Sequence, residues 1–534
     1  MTQHVVVAPL LIALSTAIIC LLARRSLRVQ RAVSVVGVFA YAGAVGLLVL
    51  RVLPDATLTY NVGGWPAPFA IVAVADALSV FMLCLAAVLA VPSLLFSLRY
   101  VGDFGEQLTY HPLFHFMLAG VTGAFLTSDI FNLFVWFEVL LMASYVLVVF
   151  YGNAEQTRVT LRYLVLNLVG SAVMLLAIGG IYATTGTLNM ADLAVRIANP
   201  AEYGVSLAPV LGLSMLLFTV FAVKAGIAPF QWWVPATYRA APAPVTAMLA
   251  GVVKKVGVYA LIRLYFTVFA AAEFDALAGL PWGDGSALAY FGPVVLAMAA
   301  LSIGFGGLGA IGQDTIEGLL AYSSIGQVGF IVLPLAVGAL VTPELVPGVR
   351  HLAIVASLVY ALNHTLSKGL LFLVAGTIRD ATGTTRFSEL GGVAREQPVV
   401  AGAFLVGGLG LVGVPPLSGF FGKLLVFQSA VNANAWLPLA LALGGAILTV
   451  AYVSRAWNRG FWGDPSPAVE TAAPTDRVQV GLVVALALAV ILVGVGFQPV
   501  FEFAGHAADA ALDRGQYVDA VLPDGGAASG GGHA

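Results

Sequence analysis

The sequence predicts an all-α polytopic membrane protein with about fourteen transmembrane helices, two of them broken. Three observations predict it. Of 534 residues, 60% are hydrophobic and only 9% charged, against roughly 25% charged in soluble domains. Apolar runs of about 17–25 residues, long enough to cross a bilayer, recur along the whole chain. The remaining charges are sorted by type. The five lysines, Lys224, Lys254, Lys255, Lys368 and Lys423, all lie inside or at the rim of apolar runs, whereas most of the nineteen arginines lie in connections.

The apolar runs fall near 5–23, 33–53, 76–98, 112–128, 130–151, 161–185, 207–229, 242–270, 288–312, 318–341, 351–378, 398–431, 436–458 and 478–498. The first has no basic region before it and no small-residue cleavage site after it, so it reads as a retained helix. Arg24, Arg25, Arg28 and Arg31 follow it, which makes that connection cytoplasmic. Alternation then puts Arg99, Arg158, Arg162, Arg239, Arg379, Arg386, Arg395, Arg455, Arg459 and Arg477 on the same side. Arg51, Arg196, Arg350 and Arg514 fall outside, and Arg263 lies within a span. An odd helix count would spoil this bias, so both termini are expected outside. The longest clearly polar internal loop is 460–477, and the Ala/Gly-rich tail beyond about 500 reads as flexible at its end, GGAASGGGHA.

Several function classes are excluded. A net charge of −2 and a pI near 6.4 offer no nucleic-acid patch. Cys20 and Cys84 sit in apolar runs without disulfide, zinc or cluster spacing. His4, His111, His115, His351, His506 and His533 are scattered and lack metal-ligand spacing. Gly307, Gly309 and Gly312, and again Gly408, Gly410 and Gly413, spell a dinucleotide fingerprint, but within apolar spans and after no strand. They read as helix-packing glycines. No catalytic nucleophile, cofactor site or metal site is expected.

The chemistry therefore lies in the intramembrane charges. A lysine at the bilayer centre costs roughly 2.5–3.5 kcal/mol on insertion scales and normally faces a bundle interior or wet cavity. Unlike arginine, lysine can shed its proton when desolvated. LTSDIFNLFVWFEVLLMASYVLV places Glu138 mid-helix, where a carboxylate needs a partner or a proton. Asp129 stands at the mouth of that helix with Asn132, as a functional acid or a simple cap. After Lys224 come Gly226, Pro229, Pro235, Pro242 and Pro244, so the helix must break just beyond the lysine. The second half repeats the device with Pro415 and Pro416 ahead of Lys423. Such broken helices survive at membrane depth only where protein or water satisfies the backbone, and matched breaks suggest inverted repeats. Lys254 and Lys255, being adjacent, lie about 100° apart on a helix, so only one is expected to face the axis. Gly251 and Gly257 bracket them and permit close packing. His364 and Lys368 form an i,i+4 pair on one face, suited to a proton relay.

Together NLFVWFE, VKAGIAPFQWWVPATY, GVVKKVGVYAL, NHTLSKGLLFLVAG and GVPPLSGFFGK resemble the proton-translocating subunits shared by respiratory complex I, membrane-bound hydrogenases and Mrp-type Na+/H+ antiporters. The resemblance covers roughly 65–460. It implies fourteen helices with two inverted five-helix repeats, dividing the chain into 1–111 (N-terminal helices), 112–270 (first repeat), 288–460 (second repeat) and 461–534 (last helix and external tail). It also implies Glu138 as the modulating acid, Lys224 as its partner, Lys255 as the middle station, His364 as relay and Lys423 as terminal exchanger. VGGWPAPFAIVAVADALSVF, RGFWGDP and YVDAVL resemble the D-type branch of the Mrp antiporters, while LLAYSS, after Ile316 and Glu317, leans toward complex I-like members. The resemblance thus implies a transporter subunit that moves H+ in exchange for Na+ beside partner subunits in a prokaryotic-type plasma membrane. The alternative it leaves is the pump module of a redox complex. A solute transporter with a midplane organic substrate has no use for so many lysines.

Overall fold

The computed structural model describes residues 4–53, 56–103, 106–149, 154–274, 277, 279–280 and 284–523. The helices are α1 (His4–Leu22), α2 (Leu27–Val52), α3 (Ala77–Tyr100), α4 (His111–Leu126), α5 (Ile130–Val149), α6 (Ala154–Thr185), α7 (Met190–Ala198), α8 (Leu207–Ala225), α9 (Val234–Ala240) and α10 (Ala243–Ala271). There follow α11 (Ala287–Ile311), α12 (Ile316–Leu340), α13 (Val349–Thr382), α14 (Pro398–Val412), α15 (Ser418–Asn432), α16 (Trp436–Ala456), α17 (Arg477–Val495), α18 (Phe497–Leu512) and α19 (Arg514–Val521). Among the described residues, twelve helices are long and apolar enough to cross a membrane, and α4 and α14 are shorter apolar helices. Each of the fourteen falls on one of the runs read from the sequence, and the run at 398–431 also holds α15, beyond the break at Gly413.

The bundle sorts by burial. α10, α12 and α13 are buried around almost their whole circumference, whereas α1, α2, α16 and α17 turn most of their surface outward. A helix apolar all round belongs in the middle of such a bundle. The three central helices carry Lys254, Lys255, His364 and Lys368. Their packing depends on missing side chains: a Cβ on Gly257 would stand 2.6 Å from the Phe221 carbonyl oxygen of α8. Of the fingerprint-like glycines, Gly307 would meet Leu448, Gly309 Tyr322 and Gly408 Val453. These three, and Gly410 against Ser367, are helix-packing positions as expected, whereas Gly312 and Gly413 stand at helix ends.

Two helices break as the prolines demand, but the stop itself is made by glycine. α8 ends at Gly226 (φ 64°) and α14 at Gly413 (φ 90°), both left-handed. In each case the next amide closes back over the last turn: Ile227 N–H to Ala222 O at 3.0 Å, and Val414 N–H to Leu409 O at 3.1 Å. This is the Schellman closure, for which a Cβ-free residue is favoured. The freed backbone is satisfied by neighbours. Ser302 accepts from the Ala228 amide at 2.9 Å. Asn363 donates to Gly410 O at 3.3 Å and accepts from Ser418 Oγ at 2.9 Å.

Three features were not foreseen. β1 (Leu58–Asn61) and β2 (Val72–Ala75) form an antiparallel hairpin with Leu58 opposite Ala75. π-helical turns at Leu249–Val253 and Ile262–Val268 interrupt α10, the first directly before Lys254. The tail is folded well past 500: α18 buries Ala504, Ala507, Ala508 and Ala511, and Thr267 Oγ1 donates to Ala511 O at 2.7 Å. Residues 497–521 are therefore helical where the sequence reads only an Ala/Gly-rich tail, because alanines at helical spacing give α18 an apolar face. Its last residues, 524–534, lie outside the described ones. Arg239 at the end of α9, Arg386 after α13 and Arg459 after α16 line one cavity of about 760 Å³ with Asp314, so these three helix ends share one arginine-rich face.

Candidate functional site

All five lysines are buried: Lys254, Lys255 and Lys368 are 0% exposed, Lys224 and Lys423 4%. No lysine reaches outward to a headgroup layer, so each ammonium must be satisfied from within.

At the first station, Lys224 lies in the last turn of α8, where unpaired carbonyls favour a cation. Its Nζ donates to Ser171 Oγ at 3.0 Å and to Asn167 O at 3.4 Å, both on α6. Glu138 of α5 stands 4.0 Å from that Nζ, and Ser171 Oγ also donates to Glu138 Oε1. One hydroxyl therefore bridges acid and base. Phe137 forms a wall, its ring centroid 5.8 Å from Nζ.

The middle station holds both adjacent lysines, and here the expectation of a single inward lysine fails. Lys254 Nζ donates to Ser324 Oγ at 3.3 Å and Ser324 O at 3.2 Å. Lys255 Nζ lies 2.5 Å from His364 Nδ1 and 2.8 Å from Ala250 O. Ser324 Oγ is in turn 3.4 Å from His364 Nε2. Two long stems from one helix thus converge on a Ser–His pair supplied by α12 and α13. Their backbone positions differ in direction, as argued, but four-carbon stems next to a π-helical turn reach the same pair. Lys254 also faces the first break: a Cβ on Gly226 would lie 3.6 Å from its Nζ. His364 and Lys368 share a face of α13, yet Lys368 bonds elsewhere, to Leu320 O at 2.9 Å and to Ser323 Oγ.

One turn along α12 from Ser323, Gln327 gathers three hydroxyls. Tyr360 donates to its Oε1, and its Nε2 donates to Tyr452 OH at 2.8 Å and Thr449 Oγ1 at 3.3 Å. Beyond it Lys423 Nζ donates to Val412 O at 3.0 Å, an orphan carbonyl at the end of α14, and sits 5.0 Å from the Phe330 ring centroid. The order is Lys224, Lys254, His364 with Lys255, Lys368, the Gln327 cluster and Lys423. Direct hydrogen bonds are interrupted beside Gly226, between the His364–Lys255 pair and Lys368, and beside Phe330.

The sequence named the ionisable groups but missed Ser171, Ser323, Ser324, Gln327, Tyr360 and Tyr452, which connect them. Serines at 323 and 324 followed by glutamine at 327, inside an otherwise apolar span, were the available signal. Asp129 takes the capping alternative, accepting from the Asn132 amide at 2.6 Å. Pro229, Pro415 and Pro416 lie in the two breaks. Glu317, in the first turn of α12, pairs with Arg379 at 2.7 Å on the arginine-rich face. His111 and His115 are not scattered at all, being buried together near Ser34. Among the described residues no group of histidines, cysteines and carboxylates could hold a metal.

A family model described as NADH:quinone oxidoreductase/Mrp antiporter, TM, matches residues 127–449. The chain is 33% identical over 523 residues to the D component of the Na(+)/H(+) antiporter of Alkalihalophilus pseudofirmus, covering 98% of this chain and 100% of that protein. A chain of the Mrp complex from Dietzia sp. DQ12-45-1b superposes with a TM-score of 0.84 at 26% identity, over 97% of this chain and 99% of that one. A chain of the membrane-bound sulfane sulfur reductase, an archaeal respiratory membrane complex, superposes with a TM-score of 0.85 at 26% identity, over 97% and 100%.

Proposed function

The chain belongs to the NADH:quinone oxidoreductase/Mrp antiporter family of membrane subunits, and from that premise we propose that it is the D-type, proton-translocating subunit of a multi-subunit Na+/H+ antiporter. It works in a prokaryotic-type plasma membrane beside partner subunits, as a transporter subunit and not an enzyme. The arginine-rich face is cytoplasmic and both termini are external, on the positive-inside rule. Residues 112–270 and 288–460 act as the two repeats, a reading supported by the matched glycine-terminated breaks in α8 and α14.

The observation that carries the reading is the file of buried ammonium groups, five of five lysines, with hydroxyls, an imidazole and an amide set among them. In this mechanism a proton is taken up at Lys224, whose ammonium is stabilised when Glu138 is near and ionised. It passes by the Gly226 break to Lys254, through Ser324 and His364 to Lys255, and on past Lys368. Ser323, Gln327, Tyr360 and Tyr452 carry it toward Lys423, which exchanges with the opposite side. Ordered water completes the three interruptions, beside Gly226, between the His364–Lys255 pair and Lys368, and beside Phe330. Changing the Glu138–Lys224 separation switches where the proton rests, since an opposite charge within about 4–6 Å favours the charged form.

The TM-score of 0.85 to a chain of an archaeal respiratory complex favours a second reading, the pump module of a redox-driven assembly using the same file. Vesicles containing the whole assembly separate the two. A sodium gradient imposed without any electron donor should drive protons the opposite way. If pH changes only when a reductant is supplied, the redox reading replaces the antiporter.

A further inference from the structure

A second buried polar cluster lies outside the lysine file, where α2 meets α4. Glu106, His111, His115 and Ser34 are all 0% exposed. Arg31, partly exposed, donates to Glu106 Oε2 at 2.5 Å and to the exposed Asp103 at 2.7 Å, and Gly102 beside Asp103 lines a cavity with Ala240 and Arg379 of the arginine-rich face. The other oxygen of Glu106, Oε1, has no hydrogen-bond partner and faces His111 Nε2 at 3.9 Å. His111 Nδ1 lies 3.0 Å from Ser34 Oγ, and the same oxygen lies 2.9 Å from His115 Nε2. His115 Nδ1, at the inner end, is again unpartnered. Cys20 of α1, in contact with Gln30 O at 3.7 Å, and Tyr110, packed on His111, complete the surroundings.

One hydroxyl between two imidazoles restricts the protonation pattern. Ser34 can donate only one proton, so at least one ring must donate to it, and a relay runs when it accepts from one ring and donates to the other. If it accepts from His111 Nδ1–H and donates to His115 Nε2, then His111 Nε2 presents a lone pair to Glu106. A lone pair beside an ionised carboxylate is repelled, whereas beside a protonated one it is attracted. Burial pushes the Glu106 carboxyl up to about 7, although Arg31 opposes the rise and Asp103 adds to it. Glu106 can thus hold a proton near neutrality at the edge of a ready-made relay.

Resting on the proton-translocating reading above, we propose that Glu106, His111, Ser34 and His115 form a second proton-exchange site, opening to the arginine-rich face between Arg31 and Asp103. The step balances. Glu106 gives its proton to His111 Nε2, His111 releases its Nδ1 proton to Ser34 Oγ, and Ser34 passes its own to His115 Nε2. His115 then gives its Nδ1 proton to a water molecule on its inner side, which leaves the ring neutral again. Two turns further along both helices, about 10 Å on, Tyr41 OH and Thr122 Oγ1 meet at 2.9 Å as the next polar pair, a gap that water would have to span.

The test uses the whole assembly in vesicles, with cation-driven proton flux measured from pH 6 to 9 on this face. Wild-type flux establishes the underlying transport independently; its absence would count against the antiporter reading itself. Ser34→Ala is expected to lower flux about tenfold, less than the 10²-fold typical of a lone proton-transfer group because the lysine file remains. Ser34→Thr should restore it. Glu106→Gln should flatten the pH profile around neutrality without changing the cation concentration for half-maximal rate. Profiles of Ser34→Ala and Glu106→Gln that superimpose on wild type, in assembled complex, overturn the proposal. If Ser34→Ala does not assemble, His115→Gln decides by the same profile.

Discussion

Replacing Glu138 tests whether the first station works by charge. Its carboxylate stands 4.0 Å from Lys224 Nζ. With an effective dielectric of about 20, two unit charges at that distance attract by about 4 kcal/mol. An energy of that size changes an equilibrium constant about thousandfold. Glu138→Ala should therefore reduce cation-driven proton flux by about two to three orders of magnitude, to the background of empty vesicles. Glu138→Asp withdraws the carboxylate by about 1.5 Å, leaving about 3 kcal/mol of attraction by the same relation, and should retain measurable flux. Glu138→Gln is the sharper probe, because the amide oxygen can still accept from Ser171 while the charge is gone. The assay is dye-reported pH change in vesicles, normalised to assembled complex on a native gel. Wild-type flux in Glu138→Gln would refute the reasoning, since it would leave Glu138 a hydrogen-bond acceptor only.

The remaining predictions address other parts of the same file. Lys224→Arg keeps a positive charge that cannot be shed, so flux should fall as far as in Lys224→Ala while assembly persists; an active arginine variant would remove proton transfer from this position. Ser324→Ala separates Lys254 from His364 and should slow flux at least about tenfold, with Ser324→Thr near wild type in the same vesicle assay. Gly226→Ala forces a Cβ to within 2.6 Å of Val234 at a left-handed backbone, costing about 1–2 kcal/mol from handedness alone. Its signature should be a lower thermal unfolding midpoint for the complex, and an unchanged midpoint would contradict the account of the break.

How much was legible follows from what each feature needs. Apolar runs announce spanning helices through length alone, so the fourteen spans were readable. The two breaks were readable through Pro229, Pro415 and Pro416, though their stops at Gly226 and Gly413 depend on a left-handed backbone the letters do not display. Glu138, Lys224, Lys255, His364, Lys368 and Lys423 stood out because charge inside an apolar run is anomalous. Ser171, Ser324 and Gln327 did not, since a hydroxyl or amide in a membrane helix is ordinary until its partner is known. Lys254 was set aside because helical direction left room for one inward lysine and the resemblance chose Lys255; that direction governs the backbone but not the reach of a long stem. His111 and His115 looked unrelated to anything because their common partner, Ser34, lies 77 and 81 positions away.

With lysine at only five positions, isotope labelling can interrogate this file directly. In the assembled complex with this chain alone carrying ¹⁵Nζ-lysine, five side-chain nitrogen resonances should be resolved. A string of ammonium groups served by internal water predicts that all five exchange their hydrogens for deuterium within hours of transfer to D2O, although none lies at the surface. Persistent protonated signals from Lys254, Lys255 or Lys368 over days would mean a dry, sealed interior, and no proton could travel there.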